Sequence, residues 1–242
     1  MPKVILLAGY PNSGTTIASY ILGQHEAVFA TGELYGFPSR QLKGAKVCSC
    51  GMEATACPFW SEVIAAITPM AQAPLAARMR ALYTAVSALS GRPVIVDVAH
   101  DLRAVRALSV LSGIDMTIVH LTRRPAAVLR SRLNLRYRDG SIRPYTPSVL
   151  RYIARQSRRL AHYRWVVGAR VGKAGSSATT VSYEELCSSP RRPTARIGKL
   201  VGLDFDAVAT QLESGAALKV PEHMVRGNER LRSDTDVHLI RR

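Results

Sequence analysis

Ala8 to Thr16 read "AGYPNSGTT", the outline of a phosphate-binding loop. Gly9 and Gly14 keep the spacing of such a turn, Pro11 and Asn12 lie between them, and Ser13, Thr15 and Thr16 bring hydroxyls around the second glycine. If a helix starts here, the backbone amides of Ser13 to Thr16 point at an anion and the helix dipole favours negative charge. A nucleoside triphosphatase places a lysine directly after the second glycine; this chain has Thr15. A triphosphate brings about four negative charges, which that lysine and a magnesium ion offset. Without the lysine, the loop suits a smaller anion.

Other residues carry chemistry by type and place. Arg123 ends a buried apolar run, where open α/β sheets bind ligands, and Ser131 follows eight residues on. That spacing is about two helical turns, or ~12 Å of axis, so guanidinium and hydroxyl could grip one phosphate from two sides, the arginine in bidentate fashion. Glu33 follows Gly32 at the end of a short strand, and a carboxylate at the mouth of a site can take a proton from an acceptor hydroxyl. His100 ends another strand and offers a second acid–base group. Asp97, on that strand, has the place of a Walker B acid or of a residue that orients a loop.

These residues need elements to hold them. Val4 to Ala8 is a continuous apolar run, the pattern of a strand buried on both faces. Gly14 to His25 reads as a helix, Ala27 to Leu34 as a strand, and residues 36–57 as an irregular loop. Helices are expected over 58–68 and 74–90, a strand over Arg92 to His100, and a helix over residues 101–111. A strand at Asp115 to Thr122 leads to a helix with Pro125 in its first turn, where a missing N–H costs nothing. A long basic helix runs from Thr146 to Arg170, Ser177 to Leu186 is a last strand with an acidic turn, and residues 191–203 form a further helix. Such alternation predicts one α/β domain over residues 1–242, a parallel sheet flanked by helices.

In order along the chain, these stretches resemble the sulfotransferases that use 3'-phosphoadenosine 5'-phosphosulfate (PAPS). "GYPNSGTT" looks like their 5'-phosphosulfate loop, and "ILGQHEAVFATGEL" like the helix and Gly-Glu strand that follow in bacterial members. "CSCG" and "CPFW" look like a Cys-bearing insert of one bacterial branch, here 36–60, and "VIVDVAHD" stands where that branch often carries Asp-Ser-Ser-Lys. "VHLTRRPAAVLRSRL" resembles the 3'-phosphate segment, with Arg123 and Ser131 at its two positions, and "VSYEELCSSPRR" the late strand and turn. "HMVRGNERLR" is similar to the C-terminal segment that closes over the nucleotide, here 220–242, which implies nucleotide contacts from Arg226, Gly227 and Asn228. Arg230 and Arg232 straddle the place of that segment's usual arginine.

The resemblance implies a P-loop-like sulfotransferase fold, PAPS as co-substrate, PAP as product and no metal. Transfer would be in line, with Glu33 as general base, a role that Gly-Glu has in the tyrosylprotein sulfotransferases. His100 would bind the sulfuryl group or the acceptor. The chain departs from the family at Asn12, where relatives carry Lys or Arg to stabilise the leaving oxygen. Either the helix dipole with Ser13 and Thr16 does that work, or another cation such as Arg40 or His100 enters the site. The acceptor is expected to be a small hydroxylated metabolite or glycan, met by Tyr35, Phe37, Phe59, Trp60, Tyr137 or Tyr145.

Composition frames these readings. The chain has 242 residues, of which 47% are hydrophobic, so a core forms and disorder is excluded. Lys plus Arg number 33 against 17 acidic residues, a net charge of +16 that attracts polyanions. No apolar stretch approaches a membrane span or a signal segment, so a cytoplasmic protein is expected, and the Ala and Arg content points to a GC-rich bacterial source. Cys48, Cys50 and Cys57 form C-x-C-x6-C, which lacks the paired C-x2-C knuckles of a structural zinc site; with Cys187 they are expected as free thiols, metal binding being the lesser alternative. Two rival functions remain. A P-loop kinase or nucleoside triphosphatase would explain the loop and the strand ending at Asp97. A non-catalytic nucleic-acid-binding module would explain the arginines and aromatics of residues 151–170, although no known nucleic-acid motif accompanies them.

Overall fold

Five apolar runs pair as parallel strands in the computed structural model, which describes residues 2–37, 48–225 and 236–237. They are β1 (Lys3–Gly9), β2 (Val28–Gly32), β3 (Val94–Ala99), β4 (Asp115–Thr122) and β5 (Ala178–Ser182). Their order across the sheet is β2-β3-β1-β4-β5. β1 lies between β3 and β4 along its whole length, from Lys3 opposite Val94 and Asp115 to Ala8 opposite Ala99 and His120. A strand covered on both faces has no solvent side, which is why Val4 to Ala8 is apolar without alternation.

The strand still alternates in what it packs against. Val4, Leu6 and Ala8 join the core on one face; Ile5 and Leu7 join the core on the other. The first face is covered by α2 (Pro58–Ile67), α3 (Leu75–Ser90), α4 (Leu102–Leu108), α5 (Pro125–Arg138) and α6 (Pro147–Ala174). On the second lie α1 (Thr15–Leu22), α8 (Arg191–Val201) and α9 (Asp206–Glu213), after the short α7 (Tyr183–Ser188). Each fully buried aliphatic side chain contributes about 1.5–3 kcal/mol, so the two layers hold the sheet from both sides. The connection from β1 to β2 steps past β3, and that from β3 to β4 steps past β1 in the opposite sense. Right-handed crossovers running in opposite directions place their helices on opposite faces and open a crevice at the carboxyl end of β1.

The strands expected from sequence are all present. The helix expected over residues 101–111 ends at Leu108, the basic helix continues to Ala174, and the acidic turn after β5 is α7, capped by the Ser182 hydroxyl accepting from the Glu185 amide at 3.0 Å. α9 was not expected: it is two turns long and shows its core face only through Val208, Ala209 and Leu212. A small antiparallel pair, β6 (Leu218–Lys219) with β7 (Asp236–Val237), closes the second face. Phe37 and Trp60, expected at an acceptor pocket, are instead buried in the core with their rings 4.9 Å apart, and Phe59 packs edge-on to Trp60. Tyr163 of the basic helix is also a core residue, its hydroxyl donating to the Ala99 carbonyl at 2.9 Å, while Trp165 is exposed. Among the described residues no helix is long and apolar enough to cross a membrane.

Candidate active site

The turn after β1 is closed by the Ser13 amide donating to the Tyr10 carbonyl at 2.9 Å. That amide, expected to face an anion, is therefore spent on the loop itself. The first bond inside α1 is Ala18 N–H to the Gly14 carbonyl, so the amides from Gly14 to Thr16 belong to the helix end, where an anion is favoured. Gly14 stands at φ +95°, and a Cβ there would come within 2.2 Å of the Tyr183 ring. Only glycine lets the loop pass this ring.

Asn12 also has a left-handed backbone, φ 72°, and draws in one residue from the link after β4 and two from α5. Arg123 donates through Nη1 to the Asn12 carbonyl at 3.1 Å. The Asn12 side-chain Nδ2 donates to Ser131 Oγ at 3.2 Å, and Arg132 Nη1 donates to Asn12 Oδ1 at 3.4 Å. Arg123 and Ser131, paired by sequence reasoning, are thus brought together on the loop. Arg132 was missed; the signal was a cation directly beside Ser131. The Arg123 guanidinium lies over the Tyr183 ring at 4.4 Å, and that of Arg132 over Tyr10 at 5.3 Å. Arg123 Nε and Arg132 Nε are buried with no hydrogen-bond partner. Burying a charged donor unpaired is costly, so two such guanidinium groups beside the glycine loop fit an anionic ligand. Beyond Arg132 a cleft of about 500 Å³ opens between α5 and α6, lined by Arg132, Leu135, Arg136, Arg138, Asp139 and Tyr152.

On the other side of the loop stands His100. Its Nδ1 is 2.7 Å from the Gly9 carbonyl, which can only accept, so Nδ1 carries a proton. Its Nε2 lies 3.3 Å from Thr15 Oγ1 and 3.6 Å from Glu33 Oε1. Neutral, the ring accepts the Thr15 hydroxyl; protonated, it turns a second N–H toward both oxygens. Glu33 and His100 are each about a quarter exposed, open to a reactant from solvent.

A bulge sets Glu33. The register of β2 against β3 shifts between Ala30 and Gly32, with Gly32 at φ +85°, which re-aims the chain beyond the strand. Thr31 Oγ1 anchors the bulge on the Val96 carbonyl at 2.8 Å. Asp97, expected as a Walker B acid or as an orienter of loop residues, is fully buried; its Oδ1 accepts the Leu34 amide at 2.9 Å and its Oδ2 the Tyr83 hydroxyl at 2.7 Å. Burial pushes its carboxyl up to about 7, against the opposing pull of these two hydrogen bonds. Asp97 therefore holds the residue after Glu33. Arg226, Gly227, Asn228 and Arg40 lie outside the described residues.

A parallel sheet of this order, with a glycine loop joining its first strand to a helix, defines an α/β protein of the P-loop type. Residues 2–207 match the model of the sulfotransferase family, and the chain belongs to that family. Its fold is similar to the sulfotransferase domain from the curacin biosynthetic pathway, with TM-score 0.62 and 15% identity over 98% of this chain and 84% of that one. It is also similar to the sulfotransferase domain of the Synechococcus PCC 7002 olefin synthase (TM-score 0.50, 19% identity, 88% and 78% covered). The sulfotransferase of Alicyclobacillus acidocaldarius gives TM-score 0.50 at 17% identity, with 96% and 88% covered. At such identities the likeness is one of fold. No curated protein sequence matches the chain.

Proposed function

We propose that the protein moves the sulfuryl group of PAPS to a hydroxyl of a small metabolite or glycan, releasing PAP. The observation that carries this reading is the convergence of Arg123, Ser131 and Arg132 on Asn12, with two guanidinium Nε atoms buried and unpaired. A loop without the triphosphatase lysine holds the 5' end; Arg123 and Ser131 hold the 3'-phosphate. When bound, PAPS supplies an activated sulfuryl group on a phosphate leaving group.

The chain's own residues do the rest. Glu33 takes the acceptor's proton, a contribution of about 10²–10⁴ in rate for a well-placed base. Asp97 keeps Glu33 in place through the Leu34 amide. The helix end after Gly14 stabilises the oxygen that leaves. Asn12 and Thr15 bring no charge, yet Arg132 reaches Asn12 and a protonated His100 reaches Thr15, so cations arrive from other elements.

Titration calorimetry without magnesium tests the reading. PAP is expected to bind more tightly than 5'-AMP, which lacks the 3'-phosphate. Arg123→Met should weaken PAP about 10–100-fold, the worth of a charge-assisted contact, and leave 5'-AMP unchanged. Equal binding of PAP and 5'-AMP, or tight binding of ATP only with magnesium, refutes it. An acceptor screen with radiolabelled PAPS then identifies the hydroxyl.

A further inference from the structure

Beyond the edge of β2 that faces away from β3, Cys48, Cys50, Cys57 and His223 converge. Their four ligand atoms all lie within 4.8 Å of one another. Cys50 Sγ and Cys57 Sγ are 3.6 Å apart; His223 Nδ1 is 3.2 Å from Cys57 Sγ and 3.9 Å from Cys48 Sγ. A tetrahedral zinc with Zn–S of about 2.3 Å and Zn–N of about 2.0 Å separates its sulfurs by about 3.8 Å, and sulfur from nitrogen by about 3.5 Å. The two distances to His223 Nδ1 bracket the sulfur–nitrogen value, and the Cys50–Cys57 separation of 3.6 Å falls just under the sulfur–sulfur one. Three cysteines and one histidine are a donor set of closed structural zinc sites.

The surroundings are built to aim the histidine. His223 sits at φ +56°, an unfavourable backbone for a residue with a side chain. Trp60 Nε1 donates to its carbonyl, and the Phe59 ring stacks on its imidazole at 5.2 Å with planes 9° apart. Ser49, between the first two cysteines, donates through Oγ to the Pro221 carbonyl at 2.7 Å and accepts the Met224 amide at 2.8 Å. Two segments distant in sequence are thus tied around the cluster by Ser49, Phe59 and Trp60. Orienting partners of this kind are what hold ligands at a metal. Free thiols without a metal were expected because the cysteine spacing lacks two knuckles; the fourth donor lies 166 residues beyond Cys57.

We propose that Cys48, Cys50, Cys57 and His223 bind one zinc ion, as three thiolates and one neutral imidazole, and staple the cysteine-bearing insert to the segment around His223. The thiols release their protons to solvent on binding. The staple ends on β2: the Val225 amide donates to the Thr31 carbonyl at 2.8 Å, and the Glu33 amide to the Val225 carbonyl at 3.3 Å. Val225 also bridges to Cys48 on its other side. The metal therefore clamps the strip of backbone from which Glu33 projects and, resting on the function proposed above, supports the base without touching the reaction.

The test uses the full chain without a histidine tag, grown with zinc and dialysed. Elemental analysis is expected to find about one zinc per chain. Cobalt(II) exchanged into the site should show the visible bands of a tetrahedral ion and thiolate-to-cobalt charge transfer. In competition with a chelator, Cys50→Ser, which alters an exposed thiol, and His223→Ala should each weaken zinc at least about tenfold. Cys187→Ser, outside the cluster, should keep wild-type affinity. A folded wild type with less than about a tenth of a zinc per chain overturns the proposal, as does a Cys50–Cys57 disulfide by intact mass or unchanged zinc in both ligand variants. Zinc binding is read without turnover, so failed sulfuryl transfer with zinc retained refutes the function and not the metal site.

Discussion

Replacing Asp97 by asparagine and by alanine separates its charge from its hydrogen bonds. Its carboxyl is raised from 3.8 to about 7, chiefly by burial. Below about pH 4 the group is protonated in folded and unfolded chains alike, and its full contribution to stability is present. As pH rises toward 7 the unfolded chain gives up its proton first, so stability falls; above 7 both states are ionised and the loss is complete. A shift of about three units is worth roughly 4 kcal/mol. Asparagine imitates the protonated acid: it still accepts the Leu34 amide, and the Tyr83 hydroxyl can turn to accept from it. Urea unfolding should therefore find Asp97→Asn close to wild type near pH 4 and more stable by about 2–4 kcal/mol at pH 8. Asp97→Ala leaves the Leu34 amide and the Tyr83 hydroxyl buried without their partner, at about 1–3 kcal/mol each. It should lie about 2–6 kcal/mol below the asparagine variant at every pH and lose kcat while PAP affinity holds, because Glu33 is no longer held. Wild type and asparagine curves that run parallel from pH 4 to 8 would show that the burial argument is wrong.

Gly14→Ala should abolish PAP binding, since a Cβ meets the Tyr183 ring at 2.2 Å; Tyr183→Ala in the same chain should recover part of it, and a fully active Gly14→Ala single variant by calorimetry contradicts the loop geometry. Glu33→Gln should lower kcat by about 10²–10⁴ in the radiolabel assay with PAP affinity within about twofold of wild type; unchanged turnover removes Glu33 as base.

Much of the scaffold was legible because its signals are local. Strand runs, helix starts at Thr15 and Pro125, and the glycine loop depend on neighbours a few residues apart. α9 escaped because two turns hold too few apolar positions to show a period. Helical spacing set Arg123 and Ser131 near one another, and both reach Asn12; Arg132 was not foreseen, because nothing local says which of two adjacent side chains turns toward Asn12. Phe37 and Trp60 looked like pocket residues and proved to be core, since burial depends on how the helix that carries Trp60 packs against segments distant in the chain.

By itself the sequence determined a glycine loop at the first strand–helix junction, where a helix end favours an anion, and the absence of the lysine that a triphosphatase carries there. Those follow from residue types within one turn of chain. The tertiary structure alone decided that Asp97 holds Glu33's neighbour, that arginines from another element arrive where Asn12 brings no charge, and that His223 meets three distant cysteines. Each of these depends on sheet order and on the packing of segments far apart in the chain, which no local pattern encodes.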